Sequence, residues 1–201
     1  VVSGEMSRQS SGGGNSGSDS PNFGQYHRDA RRGGGLAVKV IRKGQTEGSV
    51  PEGASVPSAM DVDKLVMWEV HVLQKLAHPH IVSVMDVIEV VDATYIIMQR
   101  VDGPELTEYL SKHPQSRLPP WEAISLFGQL LSALRHAHRR GFLHCDIKPD
   151  NVRLSKACDH AVLTDWGYAR RPGERSEGYM CGTPAYASPE QLTGYCRDSI
   201  S

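Results

Sequence analysis

The sequence predicts an α+β fold in two lobes, with strands and one helix first, further helices later, and polar loops where they meet. Three observations support this: a β-branched run, LAVKVI at 36–41; two apolar runs, IVSVMDVIEV and ATYIIMQRV, separated by Val91-Asp92; and a long amphipathic stretch at 121–140. In a chain of 201 residues, of which 39% are hydrophobic, these elements are enough to bury a core.

Composition excludes some classes of partner. The formal net charge of −1 argues against a nucleic-acid or membrane surface bound through bulk charge. No apolar run reaches the roughly 18 residues of a membrane span, and the N-terminus lacks the apolar core of a signal peptide. The four cysteines show neither a CxxC pair nor a zinc spacing, so we expect a reduced intracellular protein, cytoplasmic or nuclear.

The first lobe is predicted to follow a polar tail. Residues 1–33 are dominated by Gly, Ser, Asn and Arg and are expected to be disordered. After the strand at 36–41, the Gly/Pro/Ser-rich segment 44–59 is expected to be a loop, and residues 60 to about 76 a helix that ends at His78-Pro79. Its apolar positions fall near a 3.6-residue period: Val62, Leu65, Val66, Val70, Leu73 and Leu76.

The rest of the chain is predicted to be mainly helical. The two apolar runs form an antiparallel hairpin of buried strands, and a turn at 102–104 precedes a short helix at 105–112. Pro119 and Pro120 mark the start of the helix at 121–140, and NVRLS and HAVLTD are two short strands. The apolar face predicted for the long helix comprises Ile124, Phe127, Leu130, Leu131 and Leu134.

One polar stretch has the character of a site. HCDIKPDN, at 144–151, is followed by TDWG, and together they place Asp146, Asn151 and Asp165 around Lys148. Ordinary helix or strand composition gives no reason for three carboxylate or carboxamide groups to surround one lysine at fixed intervals. We therefore interpret this stretch as the chemical centre of the protein.

Five motifs in order resemble those of eukaryotic-type protein kinases of the Ser/Thr class, over about residues 36–195. They are Ala37-Val38-Lys39, Glu69 in WEVHVLQKLAHPHIV, HCDIKPDN, Asp165-Trp166-Gly167, and GTPAYASPE. The resemblance implies a two-lobed protein-kinase-like fold. Its N-lobe, an antiparallel sheet plus one helix, would span about 34–101, and a mainly helical, incomplete C-lobe about 102–201.

The resemblance also assigns roles to the polar residues. Lys39 would hold the α- and β-phosphates of ATP, oriented by Glu69. Asp146 would accept or orient the proton of the substrate hydroxyl, and Lys148 would stabilise the γ-phosphate. The oxygen ligands for Mg²⁺ would come from Asn151 and Asp165.

The adenine site is predicted from five further positions. Met98 matches the gatekeeper, and the backbone groups of Gln99 and Val101 would bind the base. Glu105 matches a position that contacts ribose or a basic residue of the substrate peptide. Arg153 stands where an apolar residue normally lies under the adenine, and its stem could do the same while its guanidinium stacks or points outwards.

Some residues depart from the family pattern. In the glycine-rich loop, Asn22 to Tyr26 could be the end, but Asp19 and Pro21 would occupy the two earlier glycine positions, and Pro21 has no N–H to offer a phosphate. Trp166 replaces the usual phenylalanine and is expected to pack against Leu73, Val84 and His144. Cys145 replaces the arginine before the catalytic aspartate. We therefore predict that activity does not depend on activation-segment phosphorylation at Ser176, Tyr179 or Thr183.

Two hypotheses of function follow. The first is an ATP- and Mg²⁺-dependent protein kinase that phosphorylates Ser/Thr hydroxyls of proteins, with room for a regulatory partner. Lys148-Pro149 and Thr183 favour the Ser/Thr class, in which the Thr183 hydroxyl is expected to reach Asp146 and Lys148. The second is a pseudokinase or scaffold that transfers phosphate poorly. It is favoured by the loop departures and by the expectation that a chain beginning at Val1 and ending at Ser201 is a fragment, with part of the long helix uncovered.

Overall fold

The computed structural model describes residues 35–43, 59–174 and 182–192. The predicted tail, the candidate glycine-rich loop at 22–26, nearly all of the 44–59 loop, and Ser176 and Tyr179 lie outside these ranges. The strands are Leu36–Arg42 (β1), Val84–Glu89 (β2), Ala93–Gln99 (β3), Val152–Leu154 (β4) and Ala161–Leu163 (β5). The helices are Ala59–Lys75 (α1), Leu106–Ser111 (α2), Pro120–Arg139 (α3) and Pro189–Leu192 (α4).

The first sheet is antiparallel with the strand order β1-β3-β2, so the predicted hairpin of β2 and β3 is confirmed. The strands are less buried than predicted: β3 contributes Ile96 to the core, but Ile88 of β2 is exposed. The reason is that, among the described strands, β2 lies at the edge of the sheet and pairs on one side only.

The alternation of β1 explains the place of its lysine. Leu36, Val38 and Val40 are exposed, whereas the residues between them are half-buried, including Lys39. Because successive side chains in a strand point to opposite faces, Lys39 shares the inner face of the sheet. Helix α1 packs there through Val66 and Val70, which form a small core with Ile96.

Helix α1 agrees with the predicted helix within a residue at each end, and most of its predicted stripe is buried. Of the stripe residues whose burial is described, Val66, Val70, Leu73 and Leu76 are buried and Leu65 is exposed. Val72, which the predicted stripe omitted, is fully buried. The buried side of α1 is therefore rotated slightly from the predicted stripe, because the helix contacts both the sheet and the second half of the chain.

The main core lies in the second half of the chain, between α3 and the β4-β5 pair, and α1 contributes Leu73 and Leu76 to it. Helix α3 buries Leu126, Ala133 and Ala137 rather than the predicted apolar face. Of that face, Leu130 and Leu134 are partly buried, and Ile124, Phe127 and Leu131 are exposed. The prediction gave weight to large apolar residues, but small alanines allow α3 to approach the neighbouring strands closely.

The described residues thus form an antiparallel sheet with one helix, followed by a mainly helical part that also contains the short β4-β5 ladder. This is the predicted α+β arrangement. Between the two parts run the segment after β3 and the segment 76–83, where Val82 and Leu163 are joined by a backbone hydrogen bond of 3.0 Å.

Candidate active site

The stretch 144–151 is a loop held by its own histidine. His144 is buried, its Nδ1 accepts a hydrogen bond from the Asp146 amide (3.2 Å), and its Nε2 donates to the Thr164 carbonyl (3.0 Å). Burial lowers the pKa of His144 to about 4, so the imidazole is neutral and both nitrogens have fixed roles. Cys145 has a positive φ of 64°, which turns the chain sharply between the two residues.

Asp146 is only 3% exposed, and its carboxylate has several hydrogen-bonding partners. One oxygen accepts the Thr183 backbone N–H (2.8 Å), and the other accepts Asn151 Nδ2 (2.9 Å) and contacts Lys148 Nζ (3.0 Å). Burial alone would raise the pKa of Asp146, but the hydrogen bonds from Thr183, Lys148 and Asn151 outweigh it and lower the pKa. The group is therefore an ionised acceptor at neutral pH.

Lys148 lies between Asp146 and Thr183, and its Nζ is 2.7 Å from Thr183 Oγ1. The hydrogen bond to Asp146 raises the pKa of Lys148, which keeps it charged. Thr183 comes this close because Gly182, at a φ of 88°, packs on the Cys145 carbonyl, where a Cβ would collide with the oxygen. Sequence reasoning expected the Thr183 contacts but missed this role of Gly182.

A second group of polar residues is assembled from three elements. Lys39 Nζ on β1 lies 2.7 and 2.9 Å from the carboxylate oxygens of Glu69 on α1, and 3.1 Å from Oδ1 of Asp165. Burial lowers the pKa of Lys39, but Glu69 and Asp165 outweigh it and the net pKa is raised. Glu69 is itself buried, so its charge is compensated by the lysine.

The two predicted metal ligands present oxygen donors. Asn151 donates through Nδ2 to Asp146, which leaves Oδ1 of the amide as an acceptor. Asp165 has a positive φ of 56°, a conformation that aspartate tolerates, and its side chain is 46% exposed. A carboxylate and an amide oxygen fit a hard cation such as Mg²⁺. The described residues contain no group of three His, Cys, Asp or Glu able to hold a metal alone, so phosphate and water oxygens would complete the coordination.

The predicted base-binding residues follow β3. Met98 packs against both cores. The backbone N–H of Gln99 donates to Ser83 (2.9 Å), and that of Arg100 donates to Gly35 (3.0 Å), so the sheet already uses both donors. Val101 is therefore the candidate donor to a bound base.

Arg153 on β4 is tied to the turn that follows this segment. Its Nη1 lies 3.1 Å from the Glu105 carboxylate, and its Nη2 donates to the Gly103 carbonyl at 3.1 Å. Among the described residues the guanidinium stacks on no ring. It lies outwards, as one of the two orientations suggested by the sequence, with its side chain 40% exposed, and it is held there by the turn. The ion pair also engages Glu105, the residue predicted to contact ribose or a basic peptide residue.

Trp166 packs as predicted. It is fully buried in the main core with Leu73, and its ring meets the His144 imidazole edge to face at a centroid distance of 4.6 Å. Val84 packs against the same core. Among the described residues, the Trp166 Nε1 finds no hydrogen-bond partner, so the replacement of the usual phenylalanine adds a donor that the core does not use.

Sequence reasoning missed two side chains that support this site. Trp68, next to Glu69, donates from Nε1 to the Ala169 carbonyl at 2.7 Å. Gln191 of α4 donates from Nε2 to the Cys145 carbonyl at 2.8 Å. The only signal for Trp68 was that a large aromatic residue stands next to Glu69. Nothing in the sequence showed where its indole N–H would bind.

Comparison with known families agrees with this geometry. A family model described as "Protein kinase domain" matches residues 22–199 of the chain. The chain belongs to the protein kinase domain family. The antiparallel sheet with α1, the loop at 144–151 and the Lys39-Glu69 pair are therefore parts of a kinase fold.

Individual kinases are similar over most of the chain. "Serine/threonine-protein kinase D2" of Homo sapiens is 36% identical over 180 residues, which are 87% of this chain and 19% of that protein. "CBL-interacting protein kinase 4" of Oryza sativa subsp. japonica is 35% identical over 161 residues, 78% of this chain and 33% of that protein. "Serine/threonine-protein kinase dkf-2" of Caenorhabditis briggsae is 34% identical over 173 residues, 85% of this chain and 13% of that protein. The chain thus spans a third or less of the length of these relatives.

Proposed function

We propose that this protein kinase chain transfers the γ-phosphoryl group of ATP to Ser/Thr hydroxyls of protein substrates, with Mg²⁺ as the metal. The observation that carries the proposal is the buried Asp146 carboxylate with Lys148, Asn151 and Thr183 bonded around it. The names of the relatives, all serine/threonine-protein kinases or CBL-interacting protein kinases, support the substrate class.

The residues present provide the functions that phosphoryl transfer needs. The transition state requires little covalent chemistry from the protein, so positioning and compensation of phosphate charge account for most of the rate. Asp146, ionised and fixed by three donors, orients the substrate hydroxyl and accepts its proton. Lys148, charged and 3.0 Å from Asp146, balances negative charge on the transferred group.

Lys39 supplies the second positive charge. Its ammonium group is held by Glu69 in a fixed direction and is shared with Asp165. Lys39 would bind the phosphates of a nucleotide, and Asp165 and Asn151 would hold Mg²⁺, which would supply charge neutralisation and alignment of the phosphates. We assign the adenine and ribose side to Met98, Val101, Glu105 and Arg153, of which Glu105 and Arg153 form an ion pair.

A scaffold that binds partners without efficient transfer is the second candidate. It is favoured by Asp19 and Pro21 at two expected glycine positions, outside the described residues. It is also favoured by the Arg153 guanidinium in the place of an apolar side chain near the base.

Among the described residues, no helix has the length and apolar character needed to cross a membrane.

The test separates the two candidates. Thermal unfolding is measured with and without Mg²⁺-ATP, and transfer of radiolabelled γ-phosphate to a mixed Ser/Thr peptide pool is measured in parallel. Stabilisation and transfer, both lost in Asp165→Asn, are expected. Stabilisation without transfer would support the scaffold, and transfer unchanged in Asp165→Asn would contradict the assigned site.

A further inference from the structure

We propose that Trp68 is a positioning residue that ties α1 to residues 169–171 and thereby holds Glu69 on Lys39. The proposal rests on the proposed kinase function for its catalytic consequence, but the tie itself is a structural property. Neither the family match nor the relatives assign any role to this tryptophan.

A directional hydrogen bond extends from the middle of α1, at Trp68. Trp68 Nε1 donates to the Ala169 carbonyl at 2.7 Å, a short and therefore favourable distance. The guanidinium carbon of Arg171 lies 5.8 Å from the centroid of the Trp68 ring and 5.9 Å from that of Phe142, within the range of a cation–π contact. His71 stacks on the indole with a centroid distance of 5.6 Å.

The segment that contains the acceptor, Ala169, is itself held by backbone hydrogen bonds. Arg170 exchanges both backbone hydrogen bonds with Leu143, at 2.8 and 2.9 Å, directly before the loop at 144–151. The Ala169 amide donates to the Trp166 carbonyl at 3.0 Å, next to Asp165. The Trp68 bond therefore joins α1 to a segment that is connected both to the catalytic loop and to the metal-binding aspartate.

Helix geometry lets Trp68 and Glu69, adjacent in sequence, contact different parts of the protein. Neighbouring residues on a helix project about 100° apart, so Trp68 can reach residues 169–171 while Glu69 points to Lys39. The contact of α1 with the sheet through Val66, Val70 and Ile96 is apolar and has no preferred direction. A rotation of α1 could preserve this contact while Glu69 leaves Lys39. The Trp68 bond opposes that rotation.

The first experiment needs no catalytic activity. Amide hydrogen exchange in α1 is measured for the 201-residue chain and for Trp68→Phe, which keeps a ring but loses the N–H donor. Loss of one hydrogen bond is expected to speed exchange in α1 roughly five- to tenfold, with α3 unchanged. Trp121→Phe, the same substitution at a 72% exposed tryptophan on α3, is the matched control and should leave α1 exchange unaltered.

The second experiment asks whether Trp68 acts through Glu69. In the wild-type background, Trp68→Phe is expected to lower kcat for peptide phosphorylation roughly fivefold. In a Glu69→Gln background the same change should lower the residual rate by less than about twofold, because the pair it supports is already lost. Trp68→Leu, which also removes the ring, should follow the same pattern with a larger first effect.

The outcomes distinguish the two proposals. Unchanged α1 exchange in both Trp68 variants would overturn the tie, whatever the activity. Fully additive losses in the Glu69→Gln background would also overturn it, since Trp68 would then act independently of Glu69. If the wild-type chain transfers no phosphate, but α1 exchange rises in Trp68→Phe and not in Trp121→Phe, the proposed function fails and the proposed role of Trp68 stands.

Discussion

The two sides of the candidate active site are built in different ways. On the catalytic-loop side, Asp146 and Asn151 are five residues apart and bond to each other inside one short loop. On the α1 side, Lys39 and Glu69 are 30 residues apart and meet only because a helix packs on a sheet. The Lys39 side chain is 35% exposed, whereas that of Asp146 is almost completely buried.

This difference indicates which side can change. The loop side needs little more than its own turn, one histidine and Thr183, so its geometry is set once the loop is formed. The α1 side depends on the orientation of a whole helix, which Trp68 and the apolar contacts with the sheet control. Substitutions in the loop should therefore affect chemistry directly, whereas those around α1 should act through the Lys39-Glu69 pair.

The largest effect is expected from Asp146→Asn. The amide cannot accept the proton of the substrate hydroxyl, so kcat should fall roughly 10³- to 10⁴-fold. Radiolabel transfer from ATP to peptide measures this loss. Asp150→Asn, an exposed aspartate in the same loop, is the matched control and should keep the wild-type rate. Equal losses of kcat in Asp146→Asn and Asp150→Asn would mean that disturbance of the loop, and not loss of the Asp146 carboxylate, lowers the rate.

The second effect tests the α1 side. Lys39→Met removes the ammonium group shared by Glu69 and Asp165 and should lower kcat/KM roughly 10²- to 10³-fold. Glu69 is then left buried without its cation, so thermal unfolding should occur at a lower temperature. Lys75→Met, an exposed lysine at the end of α1, should alter neither property. Wild-type activity in Lys39→Met would remove the lysine from the proposed mechanism.

The third prediction concerns pH and the loop side. The pKa of His144 is lowered by burial to about 4, so the unfolded chain binds a proton at this residue before the folded chain does. The neutral form of His144 stabilises the folded state fully above pH ~6.5. This stabilisation is lost as pH falls towards ~4, which lowers the free energy of unfolding by about 3 kcal/mol. The pKa values of His78, His80 and His136 are also lowered, mainly by burial, and act in the same direction.

Urea unfolding at several pH values between 4 and 8 measures this dependence. His144→Leu should reduce the slope of the unfolding free energy against pH in that window by up to about 1.4 kcal/mol per pH unit. Asp146 does not account for the window, because its pKa lies below the ordinary aspartate range and its contribution is lost only at lower pH. An unchanged slope in His144→Leu would contradict the neutral, buried assignment.

Much of this could be predicted from the sequence, for identifiable reasons. Lys39, Asp146, Asn151 and Asp165 stand in motifs whose order resembles a known family, so their grouping in one site could be expected, and the roles assigned to them stay predictions. The buried side of α3 was predicted only in part: Leu130 and Leu134 pack against the core, but Ala133 and Ala137, which carry little hydrophobic signal, occupy the closest packing positions. Contacts such as Trp68 with Ala169, 101 residues apart, have no periodic signature and require the folded chain.

The smallest effect concerns two tryptophans near the α1 side whose indole N–H groups differ in hydrogen bonding. Trp68 Nε1 has an acceptor, whereas the fully buried Trp166 Nε1 has none among the described residues. An unpaired buried donor costs about 1–3 kcal/mol, which offsets most of the packing lost when the ring is made smaller. We therefore expect Trp166→Phe to change the free energy of unfolding by less than about 1 kcal/mol. The less buried Trp68→Phe should cost more, because it removes a bond that is made. Urea unfolding of both variants tests this order, and a greater loss for Trp166→Phe would show that its indole N–H is satisfied in solution.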